Sequence, residues 1–310
     1  MKIFSPRYLG SSLLFLLLAW VPLSYAEDAP PLKVVASFSI LGDLVKAVGG
    51  DRIELKTLVG PDGDAHVFSP TPADAKKILG ADILFVNGFE FEGWLDRLVD
   101  ASGYSGKIIT ATEGITGLSI VHEDDADKHE DEHGGADPHA WLSLAHVKTY
   151  VRNITDALQK ADPSSSAVYE SNHDSYVIQL SELEKLVTET LDTLPEDRRT
   201  VVTSHDAFGY FADSHRLKFL APQGFNTESE ATARDVAALI EQIRAEKITA
   251  LFMENVVSPR LLTQIAAESG VEVGGTLYAD ALSQADKEAS TYLKMMRHNI
   301  QTLYKSLSNN

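Results

Sequence analysis

Four side chains able to ligate a metal stand far apart in this sequence, each in its own short context. His66 closes Gly60-Pro61-Asp62-Gly63-Asp64-Ala65-His66, and His139 lies in Asp137-Pro138-His139-Ala140-Trp141. His205 lies in Ser204-His205-Asp206-Ala207-Phe208, and Asp280 ends Leu277-Tyr278-Ala279-Asp280. Intervals of 73, 66 and 75 residues separate them, so only a folded domain pair could bring them together. Three imidazoles and one carboxylate complete a four-coordinate shell for a borderline-soft divalent cation, zinc above all. Any one of these histidines alone reads more readily as a surface or hydrogen-bonded residue. Their joint placement carries the expectation of metal capture.

The elements that must position them form two series. Short β-branched runs at 33–40, 53–58, 82–86 and 107–111 read as strands with helical stretches between them. A second set at 200–204, 217–220, 248–254 and 271–277 alternates with helices at 206–214, 232–246, 258–269 and 289–306. Such alternation predicts an α/β protein of two Rossmann-like lobes, each a parallel sheet flanked by helices. The last helix carries the required apolar stripe at Leu293, Met296, Ile300, Leu303 and Leu307. Between the series, Asp162-Pro163 starts a long helix whose apolar side runs Tyr169, Tyr176, Leu180, Leu183, Val187, Leu191 and Leu194. About 30 helical residues would extend about 45 Å and join the lobes stiffly, leaving small, local closure for ligand capture. The expected division is an N-terminal lobe over 27–162, the linking helix over 163–195 and a C-terminal lobe over 196–310. His66, His205 and Asp280 then fall just beyond strand ends, where open α/β sheets bind ligands, and His139 opens a loop-to-helix junction.

The chain begins with Lys2 and Arg7, an apolar run over 11–21 and Ser24-Tyr25-Ala26, which together predict a cleaved export signal at 1–26. Cysteine is absent, which excludes disulfides and thiolate metal sites. The signal predicts export to the periplasm, and with no cysteine after it and no later membrane-spanning run the chain is expected to be soluble and without a lipid anchor. Roughly 285 residues remain to bury two cores. The formal charge of −18 becomes −20 once the two signal cations go, which excludes nucleic-acid binding and draws divalent cations towards the protein. The segment 122–136 is too acidic for a core, and its His122, His129 and His133 are candidate weak metal sites on a surface loop.

Taken together, these motifs resemble the solute-binding proteins of zinc and manganese ABC importers, in the cluster whose lobes share one long linking helix. The matching pieces are Asp64-Ala65-His66 with Pro70-Thr71-Pro72, Asp137-Pro138-His139-Ala140-Trp141, 204–211, 274–280 and Met295-Met296-Arg297-His298-Asn299, in the same order along the whole mature chain. The resemblance implies metal ligation at His66, His139, His205 and Asp280, with zinc as cargo and delivery to an ABC permease in the inner membrane. A periplasmic metallochaperone is a further candidate partner, and the protein is expected to act as a monomer that binds no nucleic acid. Manganese is the alternative cargo, although manganese members of the family usually carry Glu where this chain has His205. A zinc-dependent hydrolase is the competing class: Asp280 fills the position such an enzyme keeps open, and no His-Glu-x-x-His supplies a base. Glu228, Glu230 and Glu254 could accept a second ring N–H from a ligand histidine, with a surface role equally open to each. Trp141 is expected to pack under His139, and His173 within the linking helix. His146, His215 and His298 have no second ligand at useful spacing.

Overall fold

Residues 1–2, 30–119 and 135–308 are described in the computed structural model. The expected signal and most of the acidic segment, with His122, His129 and His133, lie outside the described residues. Strand β1 (Leu32–Phe38) is buried without a break from Val34 to Phe38, as a strand covered on both faces must be. It pairs in parallel with β2 (Ile53–Val59) and β3 (Ile83–Val86), and β3 pairs with β4 (Lys107–Thr110). Helices α1 (Ser39–Gly49), α2 (Pro72–Leu79), α3 (Leu95–Ser102) and α4 (Leu144–Ala161) complete the first lobe. Ser143 caps α4 by accepting the His146 N–H, and Val147, Tyr150, Val151, Ile154 and Leu158 form its buried stripe.

The second sheet repeats the first. Strand β5 (Thr200–Val202) lies between β6 (Lys218–Leu220) and β7 (Ala250–Glu254), and β8 (Glu272–Leu277) flanks β7, all in parallel. Strand orders β2-β1-β3-β4 and β6-β5-β7-β8 are therefore equivalent. Helices α6 (Gly209–His215), α7 (Ala233–Glu246), α8 (Arg260–Ser269) and α9 (Tyr292–Ser308) surround this sheet. The two parallel-sheet lobes are those expected, with shorter elements wherever the backbone turns to another partner. Strand β5 ends before 204 because the N–H groups of Ser204 and His205 turn to the Glu254 carboxylate. Helix α9 starts after 289 because Ser283 and Ala289 bond one another across the preceding loop.

Between the lobes runs α5 (Ser166–Leu191), a helix of 26 residues and so about 39 Å long. It is shorter than the sequence suggests because Pro163–Ser165 forms a 3-10 turn, in which Asp162 accepts the Ser165 N–H at 3.3 Å. Tyr169, His173, Tyr176, Leu180, Leu183, Val187 and Leu191 are its buried face. This face packs against α1 and α4 of the first lobe and against α9 of the second. One hydrophobic cluster accordingly joins Val35 and Leu41, Leu180 and Leu183, and Phe252, Leu277 and Ile300. The outer face of the second sheet has its own smaller core, with Val202 and Leu251 against Val236, Leu239 and Ile243. No helix among the described residues is long and apolar enough to cross a membrane.

Candidate metal centre

His66 hangs from the loop that follows the edge strand β2. Asp64 accepts the His66 N–H at 2.9 Å, and the Trp94 indole donates to the Ala65 carbonyl at 2.8 Å, which together fix the backbone on either side. Phe91 stands edge-on to the imidazole, with centroids 4.7 Å apart. The same Asp-x-His device recurs at His139. There one oxygen of Asp137 accepts the His139 N–H at 2.9 Å and meets ring Nδ1 at 2.7 Å. Asn87 donates to the Pro138 carbonyl at 2.9 Å, and Trp141 packs edge-on to His139 with centroids 5.2 Å apart.

His205 and Asp280 come from the second lobe. Glu254, the last residue of β7, holds the His205 backbone with one oxygen and lies 2.6 Å from ring Nδ1 with the other. That short contact is bent away from ideal hydrogen-bond alignment. Asp280 follows β8 on a loop clamped from two directions. Asn299 of α9 accepts the Tyr278 N–H at 2.9 Å and donates to the Tyr278 carbonyl at 2.8 Å. The Trp141 indole donates to Ala279 across the lobes at 2.7 Å.

One donor atom from each of His66, His139, His205 and Asp280 falls within a group spanning 4.8 Å. The His205 Nε2 lies 3.1 Å from Asp280 Oδ2, the His66 Nε2 3.5 Å from the same oxygen, and the His139 Nε2 3.5 Å from Oδ1. His66 and His139 place their Nε2 atoms 3.4 Å apart. His139, His205 and Asp280 are fully buried, while His66 is 7% exposed. Both Asp280 oxygens and both His205 ring nitrogens are buried without a hydrogen-bonding partner among the described residues. Burial works against charge on both, yet their attraction outweighs it. Glu254 and Asp280 hold the His205 imidazole well above its ordinary range, while His205 and His139 hold the Asp280 carboxyl well below its own.

Of the other expected residues, Glu254 reaches a candidate ligand, whereas Glu228 and Glu230 are exposed on the loop before α7. His173 packs in α5 with its Nδ1 2.9 Å from both Arg152 and Asp174. The Arg152 guanidinium, bound to Glu170 and beside the ring, opposes a cation at the Glu170, His173, Asp174 grouping. His146 faces Tyr210, His215 faces Phe211, and His298 donates to the Thr276 carbonyl. Sequence reasoning missed the part of Asp137 as acceptor for the His139 ring. Its signal was the spacing, since an aspartate two residues before a histidine returns to that histidine's own N–H.

The family described as zinc-uptake complex component A, periplasmic, matches residues 34–306. Manganese-binding lipoprotein MntA of Halalkalibacterium halodurans is 32% identical over 283 residues, 91% of this chain and 91% of its own. Iron ABC transporter substrate-binding lipoprotein MtsA of Streptococcus pyogenes is also 32% identical, over 89% of each chain. The solved periplasmic zinc binding protein TroA from Treponema pallidum superposes with a TM-score of 0.81 at 28% identity, covering 89% of this chain and 99% of its own. These relatives overturn the expectation of a chain without a lipid anchor, because MntA and MtsA are both lipoproteins by name. That expectation rested on the lack of cysteine, an absence that addresses a single anchoring chemistry. A location outside the cytoplasm agrees with the family's periplasmic description. The match also sets the hydrolase reading aside, since this family binds solute and is not enzymatic. With its paired parallel-sheet lobes and the match over residues 34–306, the chain belongs to the zinc-uptake component A family, the metal-binding substrate-binding components of ABC importers.

Proposed function

We propose that His66, His139, His205 and Asp280 bind one divalent cation as cargo, that the cation is zinc, and that the protein delivers it to an ABC permease. The convergence of four buried donors from both lobes carries this reading. Zinc bound tetrahedrally at about 2.0–2.1 Å separates its ligands by roughly 3.3–3.4 Å along each edge. The His66–His139 separation of 3.4 Å lies at that value, and Asp280 Oδ2 stands 3.1 Å from His205 and 3.5 Å from His66, while His139 lies 3.5 Å from the other oxygen, Oδ1. Asp137 and Glu254 supply the carboxylate behind an imidazole that zinc sites favour, fixing the ring and making it more basic. Three nitrogens and one oxygen suit zinc better than manganese, which prefers an oxygen-rich shell. Relatives named for manganese and iron make the other cations the necessary comparison.

Titration calorimetry on the metal-stripped protein with zinc, manganese and ferrous iron tests the reading, with His205→Ala alongside. One tight zinc site, weaker for the other two and lost in the variant, is the expected result. Manganese or iron binding as tightly as zinc would overturn the cargo; a variant with wild-type affinity would overturn the ligand set.

A further inference from the structure

The segment 60–64 that leads into His66 is hydrogen-bonded mainly from the opposite lobe, whereas Trp94 of its own lobe holds Ala65. It leaves an edge strand, so no neighbouring strand supports it on one side. Within 60–64 its own lobe contributes the Gly63 N–H to Gly60 carbonyl bond at 3.2 Å. The second lobe contributes more. The Asp62 N–H donates to the Leu282 carbonyl at 2.8 Å, and the Asp62 carboxylate accepts from Asn255 at 3.3 Å and Gln284 at 3.2 Å. Thr227 donates its hydroxyl to Asp64 Oδ2 at 2.6 Å, while the other oxygen of Asp64 holds the His66 N–H. Asp62 sits at φ 56°, a left-handed conformation that costs a non-glycine residue energy and persists only where its surroundings hold it.

Two of these partners lie beside the opposite half of the site: Asn255 follows Glu254, and Leu282 lies two residues beyond Asp280. His66 is also the one candidate ligand with any exposure, at 7%, so the approach to the site passes it. We propose that Asp62, Asp64 and Thr227 are positioning residues that set the rate of metal exchange. Their bonds across the lobes hold the His66 loop in place, and a cation enters or leaves only when that loop lifts. This inference rests on His66 being a ligand. Capture and release break the same bonds, so weakening them speeds both and leaves equilibrium affinity little changed, whereas a loss of general stability changes neither rate selectively.

The test is stopped-flow exchange of zinc against a chelator, with the metal-free melting temperature as control. Thr227→Val should release zinc roughly fivefold faster, the worth of one ordinary hydrogen bond. Thr227→Ser, which restores the hydroxyl, should return to the wild-type rate. Asp62→Gly keeps the left-handed turn while removing both side-chain bonds and should release faster than Thr227→Val. Wild-type release rates in both Thr227→Val and Asp62→Gly overturn the proposal, as does a rise in Kd carried by slower capture alone. His66→Ala separates the two readings. If it releases zinc at the wild-type rate, the ligand set falls; if it loses zinc while the other variants behave as wild type, only the latch falls.

Discussion

Glu254→Gln changes one atom and should damage metal binding far beyond that size. One oxygen of Glu254 accepts the Ser204 N–H at 2.6 Å and the His205 N–H at 3.1 Å, and the other lies 2.6 Å from ring Nδ1. Glutamine offers one acceptor and one donor to these three groups. With its oxygen on the backbone, its NH2 faces Nδ1 and favours the tautomer that carries the proton on Nε2. That is the nitrogen 3.1 Å from Asp280, which in the proposed site presents its lone pair to the metal. With the amide reversed, two buried N–H groups lose their acceptor at about 1–3 kcal/mol each. Either arrangement costs about 2 kcal/mol or more, so zinc affinity should fall by roughly 30- to 100-fold. Asp137→Asn is the internal control. Asp137 serves both the His139 N–H and Nδ1 through Oδ1, and its Oδ2 is buried without a partner. Asparagine can keep its oxygen on the loaded side, so the loss should be clearly smaller than that of Glu254→Gln. Competition against a chromophoric chelator at constant pH measures both variants. Equal losses, or a Glu254→Gln affinity within threefold of wild type, would refute the tautomer argument.

Other positions offer independent checks. Burial pushes the Asp43 carboxyl up to about 6, against the Tyr292 N–H and Lys294, which pull it down. The folded state therefore binds this proton more tightly than the unfolded chain, and the resulting stability, present below the unfolded pKa of about 4, is lost as pH rises through about 6. Asp43→Asn should stabilise the protein by about 1–3 kcal/mol at pH 8 and change little at pH 4; equal gains in urea melts at both would contradict it. Asn299→Ala removes both bonds to the Tyr278 backbone, so it should cost about 2–4 kcal/mol of unfolding free energy and weaken zinc binding. A Cβ at Gly209 would meet Asp137 Oδ2 at 2.7 Å. Gly209→Ala should displace that carboxylate and lower zinc affinity about tenfold with little change in far-UV circular dichroism; unchanged affinity would mean the site absorbs the shift.

The parallel-sheet lobes were readable because fully covered strands such as Ile83–Val86 are continuous apolar runs, and α5 because its apolar side chains keep a steady helical step. Candidate ligands were readable because each sits in a distinctive local context. What escaped was mostly non-local. Asn299 clamps a backbone 21 residues away, and Thr227 meets a carboxylate 163 residues away, so neither pairing leaves a periodic or local trace. The choice of Glu254 over Glu228 and Glu230 was equally hidden. All three are glutamates in or beside second-lobe loops, and only the end of β7 points one of them at His205. Zinc and manganese compete for donor atoms of the same types, so residue identity alone bears only modestly on the cargo.

Helix α5 and the apolar cluster it joins draw on both lobes, so the lobes share the larger of the two cores and neither can melt without disturbing it. Heat or denaturant should open the chain in one cooperative step. Cargo that binds only the native form then acts as a brace for the entire molecule, adding about 4 kcal/mol when free metal stands a thousandfold above its Kd. Outside the cytoplasm, that difference governs how often the backbone becomes available to proteases. A cell starved of metal would hold its empty carriers in their most perishable form, and each captured ion would lengthen the working life of the protein that carries it.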